Sequence, residues 1–207
     1  MIDSKIDIVL KRIEEQEKFE QENPYETPNS EKVLAIGRNT GIFYNMLLQN
    51  MTAKKILEIG MSAGYSTIWF ADALSKNSDG KIITIDQDKN KIQRAKRNFE
   101  DAGVSDLIEI HHGDALEVLA DIKNEPNSAE SFDFIFIDAD KERYIQYFDA
   151  VLPLVKPRGL IGADNILFPE RFQKFTNLYV KHVRKNPNIR SVTIPIDNGE
   201  ELSLKLT

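Results

Sequence analysis

Lys55-Ile-Leu-Glu-Ile-Gly-Met-Ser-Ala-Gly-Tyr-Ser66 decides the fold. A short β-rich run, 55–59, breaks at Gly60 and gives way to a helical pattern after Gly64. Glycine at a strand end lets the backbone turn tightly, and a second glycine lets the next helix start close to a ligand. That helix start offers free N–H groups and the positive end of a dipole. The same alternation continues, with strands predicted over 81–85, 108–111, 132–137 and 160–163. Between them, Ile92, Ala95, Phe99 and Ala102 mark one helical face, closed by Gly103. Tyr144, Tyr147, Phe148, Val151 and Leu152 mark another. Alternation of this kind predicts an α/β fold of βαβ units around a mostly parallel, doubly wound sheet. Phe132-Asp-Phe-Ile-Phe-Ile137 is almost wholly apolar, as a central strand covered on both faces requires.

Outward from this core the pattern changes at both ends. Ile2, Ile6, Val9, Leu10 and Ile13 recur at helical spacing. Residues 23–30 read as a loop, with Ser30 capping a second helix from near Glu31 and Gly41 separating that helix from the apolar stretch 42–48. These N-terminal helices read as a covering layer, or as a lid or dimer surface. Phe172, Phe175, Tyr179 and His182 form a last helical face. Strand-like runs over 191–196 and 202–206 then flank Asp197-Asn-Gly-Glu200, which predicts a C-terminal antiparallel hairpin.

The 207 residues fit a single domain, 1–207, with 1–50 as helical cover and 51–207 as α/β core. The absence of Cys excludes disulfide scaffolds, thiolate metal sites and Cys nucleophiles. A net charge of −6 argues against wholesale electrostatic wrapping of nucleic acid, though not against a local RNA contact. No apolar run reaches the length of a membrane span, and the N-terminus lacks a signal-peptide layout. A cytoplasmic protein with no membrane partner is expected.

Ligands of such sheets bind beyond the C-terminal ends of the strands. The spacing of Gly60 and Gly64 is G-x-x-x-G. A dinucleotide fingerprint would need glycine where Ser62 stands, so the turn suits a smaller anionic group, such as an amino-acid carboxylate, better than a pyrophosphate. Asp86 ends the second strand, where an acid can hydrogen-bond ribose hydroxyls, or else it caps the helix over 88–102. Asp114, in Gly113-Asp-Ala115, reaches an adenine amino group or caps the next helix. The fourth strand closes with Asp138-Ala-Asp-Lys141 and the fifth with Asp164-Asn165. Carboxylates at adjacent strand ends repel unless something positive lies between them. Asp138, Asp164 and the Asn165 side-chain oxygen are hard ligands that suit Mg²⁺ or Ca²⁺ better than Zn²⁺; turn and cap chemistry without an ion is the alternative. Lys141 takes a proton if metal and burial lower its pKa, or else pairs with Asp138 or Asp140. His111 and His112 read as solvated or capping, and Trp69 as core. Lys181, Arg184, Lys185 and Arg190 read as a solvated face, or as a contact for a phosphate-bearing acceptor.

Taken together, Glu58, Gly60, Gly64, Asp86 and Asp114 resemble the motifs of class I S-adenosylmethionine-dependent methyltransferases. Leu57 to Ser66, Phe132-Asp-Phe-Ile-Phe-Ile-Asp-Ala-Asp-Lys141 with Tyr144, and Ala163-Asp-Asn165 resemble the cation-dependent O-methyltransferase family, which includes the caffeoyl-CoA and catechol O-methyltransferases. The resemblance covers roughly residues 30 to 207. It implies a Rossmann-like fold, S-adenosylmethionine as cofactor, and a divalent cation bound by Asp138, Asp164 and Asn165, with Mg²⁺ expected ahead of Ca²⁺ or Mn²⁺. It implies Lys141 as catalytic base, places Glu58, Gly60, Gly64, Ser66, Asp86, Asp114 and Asp138 around the cofactor, and suggests a homodimer.

This chain departs from the family at Arg158-Gly159, where Gly-Gly is common. It also runs straight into Ile166-Leu-Phe-Pro-Glu-Arg171, where many members carry a longer insertion, and has Asp197-Asn-Gly199 for the usual Gly-Asp-Gly. The expected activity is methylation of a hydroxyl on a catechol-like small molecule. The main alternative is the same chemistry on a hydroxylated tRNA base. A nucleotide-binding dehydrogenase is opposed by Ser62. A non-catalytic cofactor-binding module is opposed by the set Asp138, Lys141, Asp164 and Asn165.

Overall fold

Apolar side chains on both faces of the central strands bring helices onto both sides of one sheet. The computed structural model describes residues 2–28, 32–76 and 80–207. In chain order the elements are α1 (Ser4–Glu22), α2 (Arg38–Asn50), β1 (Lys55–Ile59), α3 (Tyr65–Leu74), β2 (Lys81–Asp86), α4 (Lys89–Ala102), β3 (Ile108–His112), α5 (Ala115–Asn124), β4 (Phe132–Ile137), α6 (Tyr144–Val151), β5 (Val155–Ala163), α7 (Gln173–Lys185), β6 (Ile189–Ile194) and β7 (Glu200–Lys205). The sheet order is β3-β2-β1-β4-β5-β7-β6. β1 to β5 run parallel, and β7 is antiparallel to both β5 and β6. This is the Rossmann-like, doubly wound arrangement with a C-terminal hairpin that the sequence predicts.

The core lies in two layers. On one side Ile56, Ile82, Phe134 and Phe136 pack under the first four helices. There the rings of Tyr44, Phe70, Phe134 and Phe136 cluster at centroid distances of 5.1–6.3 Å. On the other side Leu57, Ile59, Ile135 and Ile137 pack under α5, α6 and α7. The run 132–137 is therefore buried on both faces, as its composition demands. β5 begins at Val155, five residues before the predicted start. Its early part carries Arg158 at φ 67, a left-handed conformation that glycine would adopt without strain.

The N-terminal layer differs from expectation. α1 forms with Asp3 as N-cap and buries its stripe of Ile6, Val9, Leu10 and Ile13 within its own domain. Ser30 and Glu31, the predicted cap and start of a second helix, lie outside the described residues. Residues 33–37 are not helical. The reason lies on α1, where acids at helical i, i+3 spacing engage this segment. Glu20 accepts from Val33 N–H at 2.7 Å, Glu17 accepts from Ala35 N–H, and Glu14 pairs with Arg38 at 2.7 Å. α2 then starts at Arg38 and runs through Gly41 without a break. Gly41 sits mid-helix because a Cβ there would come within 2.4 Å of the Trp69 ring. The first turn of α2 is capped from a distance by Asp197 of the hairpin turn, whose carboxylate accepts from Thr40 N–H at 2.8 Å and Asn39 Nδ2 at 2.9 Å.

Candidate active site

Backbone hydrogen bonds that continue past the strands tie their C-terminal ends into one row. Gly113 N–H reaches Asp86 O at 3.1 Å, and Gly60 N–H reaches Ile85 O at 2.9 Å. Asp138 N–H reaches Ile59 O at 2.9 Å, and Asp164 N–H reaches Ile137 O at 3.2 Å. At a spacing of about 4.8 Å per strand, the five ends from β3 to β5 span about 19 Å. A cleft of about 530 Å³ opens along this row, within the range of small-molecule sites. β1 lies between β2 and β4, so the cleft crosses the point where the winding of the sheet reverses.

Gly60, Asp86, Asp114, Asp138, Lys141, Asp164 and Asn165 all line this cleft. Gly60 has φ 89, and a Cβ on it would stand 2.1 Å from the Asp138 carbonyl oxygen, so the junction of the β1 and β4 ends admits no larger residue. Asp86 is not the helix cap. Asp88 caps α4, accepting from Asn90 N–H at 2.8 Å. Asp86 instead holds the glycine turn, accepting from Ser62 N–H at 2.9 Å and Met61 N–H at 3.2 Å through one oxygen, and from Asp88 N–H through the other. Each carboxylate oxygen has two lone pairs, so Asp86 retains an acceptor position for a ligand hydroxyl on the oxygen that binds Asp88 N–H. Asp114 does cap α5, through Leu116 N–H at 2.9 Å, and it also forms a two-pronged pair with Arg143 at 2.6 and 2.9 Å. The guanidinium holds the Asp114 carboxyl down at about 2.

Glu58, Gly64 and Ser66 do not line the cleft. Glu58 is fully buried behind the turn and accepts from Ser66 Oγ and Thr67 Oγ1 at 2.5 Å and from Thr84 Oγ1 at 2.6 Å. It thereby ties β1, β2 and the start of α3 together beneath the ligand row. Burial pushes its carboxyl up to about 7 against the pull of the three hydroxyls. The folded chain therefore holds this proton more tightly than the unfolded chain does. Its share of stability is lost as pH rises from about 4.5 to about 7, by roughly 3 kcal/mol in full. Glu58→Gln is expected to melt with a flatter pH dependence between pH 5 and pH 8. A wild-type slope in calorimetric melts of that variant would contradict the assignment.

At the other end of the row, Lys141 is 8% exposed; its Nζ donates to Asp138 Oδ1 at 2.6 Å and lies 5.1 Å from the centre of the Tyr144 ring. Tyr144 OH donates to the Asp164 carbonyl at 3.0 Å. Asp164 is almost fully buried, and burial, with repulsion from Asp138, pushes its carboxyl up to about 6. Asn165 follows at φ 60, a left-handed conformation that asparagine tolerates, and its N–H donates to Asp164 Oδ1 at 2.6 Å. The hairpin turn fixes the segment beyond: Asn198 O accepts from the N–H groups of Leu167 and Phe168, and Gly199 O from that of Ile166. Arg171, Phe172 and Asn198 line this end of the cleft, whereas Tyr147 lines it beside Arg143, whose guanidinium lies 5.4 Å from its ring centre.

Among the described residues, no group of three or more His, Cys, Asp or Glu is arranged to hold a metal ion. Two carboxylates and an amide, Asp138, Asp164 and Asn165, do face the cleft together. His111 pairs with Glu109 at 2.8 Å, away from the cleft. The late basic stretch is also elsewhere. Arg184 is engaged by Glu201 at 2.9 Å and Thr193 at 2.7 Å, and neither it nor Lys181, Lys185 or Arg190 lines the cleft. Sequence reasoning missed two acids near the site. Glu17 reaches the cleft from α1 across the segment that carries Leu34 and Ala35. Glu200 lies buried behind Asp164.

A doubly wound sheet with a glycine turn after β1, an acid ending β2 and paired acids after β4 and β5 is the arrangement expected of a methyltransferase that uses S-adenosylmethionine. Comparison with known proteins agrees. The family described as O-methyltransferase matches residues 12–206. The catechol O-methyltransferase of Niastella koreensis is 42% identical over 134 residues, which are 65% of this chain and 59% of that protein. Caffeoyl-CoA O-methyltransferase 5 of Nicotiana tabacum is 33% identical over 190 residues, covering 84% of this chain and 78% of that one. The crystal structure of the O-methyltransferase from Bacillus cereus in complex with SAH superposes with a TM-score of 0.79 at 28% identity, covering 98% of this chain and 91% of that one. The chain belongs to this family of S-adenosylmethionine-dependent O-methyltransferases. No helix among the described residues is long and apolar enough to cross a membrane.

Proposed function

We propose that the protein transfers the methyl group of S-adenosylmethionine to a hydroxyl of a catechol-like small molecule, with a divalent cation held by Asp138, Asp164 and Asn165. The observation that carries this reading is the charge imbalance at the ends of β4 and β5. Asp138 and the buried Asp164 face the cleft with Lys141 beside them, and a further buried acid, Glu200, backs Asp164. One ammonium does not balance the carboxylates of Asp138 and Asp164, and hard oxygen donors without Cys or His fit Mg²⁺, Mn²⁺ or Ca²⁺. When bound, such an ion favours the ionised form of an acceptor hydroxyl.

The residues of the chain supply the rest. Gly60 gives the donor close access to the backbone, Asp86 takes a ribose hydroxyl, and Asp114 with Ala115 marks the adenine end. Asp138 lies between the donor row and the acceptor. Phe172 and Asn198 shape the acceptor end, where alignment of oxygen, methyl carbon and sulfur is the main requirement. Lys141 first gives a proton to solvent, and its neutral Nζ then takes the hydroxyl proton. The oxygen forms the new C–O bond as the C–S bond breaks, and the electron pair stays on sulfur in S-adenosylhomocysteine.

Methyl-labelled cofactor, offered to catechols and to total tRNA in parallel, tests the reading. Label is expected in catechol with Mg²⁺ and not with EDTA. Turnover undiminished by EDTA would remove the cation, and label in tRNA alone would replace the acceptor. A homodimer is part of the proposal, supported by Ile42 and Met46, which are exposed one turn apart on α2; gel filtration checks it.

A further inference from the structure

Glu200 is an acid for which neither the donor row nor the acceptor end has a use. It opens β7, is fully buried, and does not line the cleft. In the β5–β7 register Ala163 faces Glu201, and one step further sets Glu200 opposite Asp164. Directly opposed residues on antiparallel strands have Cβ atoms about 5 Å apart. Glu200 Oε2 accepts from Tyr44 OH at 2.7 Å. Glu200 Oε1 is buried with no donor among the described residues, and the carboxyl stands against that of Asp164.

Tyr44 is itself fixed. Its ring is packed by Phe70, Phe134 and Phe136, and its hydroxyl lies over Gly162, where a Cβ would come within 2.4 Å. A continuous chain of contacts therefore runs from α2 through Tyr44 and Glu200 to Asp164 and the cleft. An acid at this position is a poor choice for stability alone, because a second buried carboxyl pressed against Asp164 costs desolvation that an apolar residue would avoid.

We infer that Glu200 is a positioning residue for Asp164: Tyr44 fixes the Glu200 carboxyl, and Glu200 fixes the Asp164 carboxyl so that it is presented to a divalent cation in the cleft. This rests on the cation reading above. Groups that orient a metal ligand from behind change metal affinity about 10- to 100-fold when removed.

The test is Mn²⁺ binding to the whole chain in the presence of S-adenosylhomocysteine, read from the paramagnetic resonance of free Mn²⁺, alongside metal-free melts. Glu200→Gln keeps the shape, accepts from Tyr44 and donates to Asp164, so its affinity is expected to stay within about threefold of wild type, whereas Glu200→Leu is expected to lose at least about tenfold. The metal-free melting temperature of Glu200→Leu is expected to equal or exceed that of wild type. A purely structural residue would show the reverse, a lowered melting temperature with unchanged Mn²⁺ affinity. Wild-type affinity in Glu200→Leu overturns the inference, and so does a loss in Glu200→Gln as large as that in Glu200→Leu, which would show that charge matters and not placement. If Glu200→Leu does not fold, Tyr44→Phe decides: weakened Mn²⁺ binding supports the inference, and wild-type affinity overturns it. Wild-type protein that binds S-adenosylhomocysteine but no Mn²⁺ removes the cation reading, and this inference with it.

Discussion

Asp164→Ala is expected to lower kcat/KM for a catechol by roughly 10³-fold at saturating Mg²⁺, with an unchanged far-UV spectrum. Asp164 is more deeply buried than Asp138, the other acid assigned to the cation, and its carboxyl has little else to do. Its Oδ1 accepts from the adjacent Asn165 N–H, Asp138 presses on it with like charge, and the Glu200 carboxyl stands in hydrogen-bond contact with it. Such an acid is costly to keep unless a cation compensates it. The variant should therefore fold at least as stably without metal while losing turnover and the response to EDTA. Activity within a few-fold of wild type, still abolished by EDTA, would place the ion elsewhere.

Lys141→Met is expected to lower kcat by about 10²- to 10⁴-fold on an unsubstituted catechol, the usual range for loss of a general base. The informative measurement is the dependence on acceptor acidity. A phenol-like hydroxyl of pKa about 10 must lose its proton for attack, whereas a nitro-substituted catechol is already ionised near pH 8. If Lys141 Nζ receives the proton, the variant's deficit should nearly vanish on the nitro compound. On the unsubstituted one, its rate should rise with pH. If Lys141 serves only as the counter-ion of Asp138, 2.6 Å away, both acceptors should suffer alike. Equal losses on the two would therefore sink the base assignment and leave the ion pair.

Most of the donor end of the site was legible because strand-end chemistry is local. The run 132–137 declares its own burial, Gly60 and Gly64 mark the turn, and Asp86, Asp138 and Asp164 each follow the last apolar residue of a strand. Glu58 was legible as a motif residue but not in its placement. Its position inside β1 points it into the layer under α3, where three hydroxyls hold it. The second helix was misplaced because the pattern 31–41 carries no sign that Glu17 and Glu20 would engage its backbone and Glu14 the Arg38 side chain. Glu200 was missed for a related reason. Beside Asn198-Gly199 it reads as a turn residue, and only the pairing of β5 with β7 shows it as a buried neighbour of Asp164. A reader who carried the hairpin register back onto β5 could have found it.

The sequence by itself determined the alternation of strands and helices, the doubly wound parallel sheet, the closing hairpin and the row of residues at the strand ends. Those features depend on hydrophobic period and turn chemistry, which act over a few neighbouring residues. The tertiary structure alone decided that Asp197 caps α2, that α1 holds residues 33–38 over the cleft edge, that Arg143 engages Asp114, and that Tyr44 and Glu200 stand behind Asp164. Each of these joins segments far apart in the chain, and such contacts are set by how the layers pack, which no local pattern encodes.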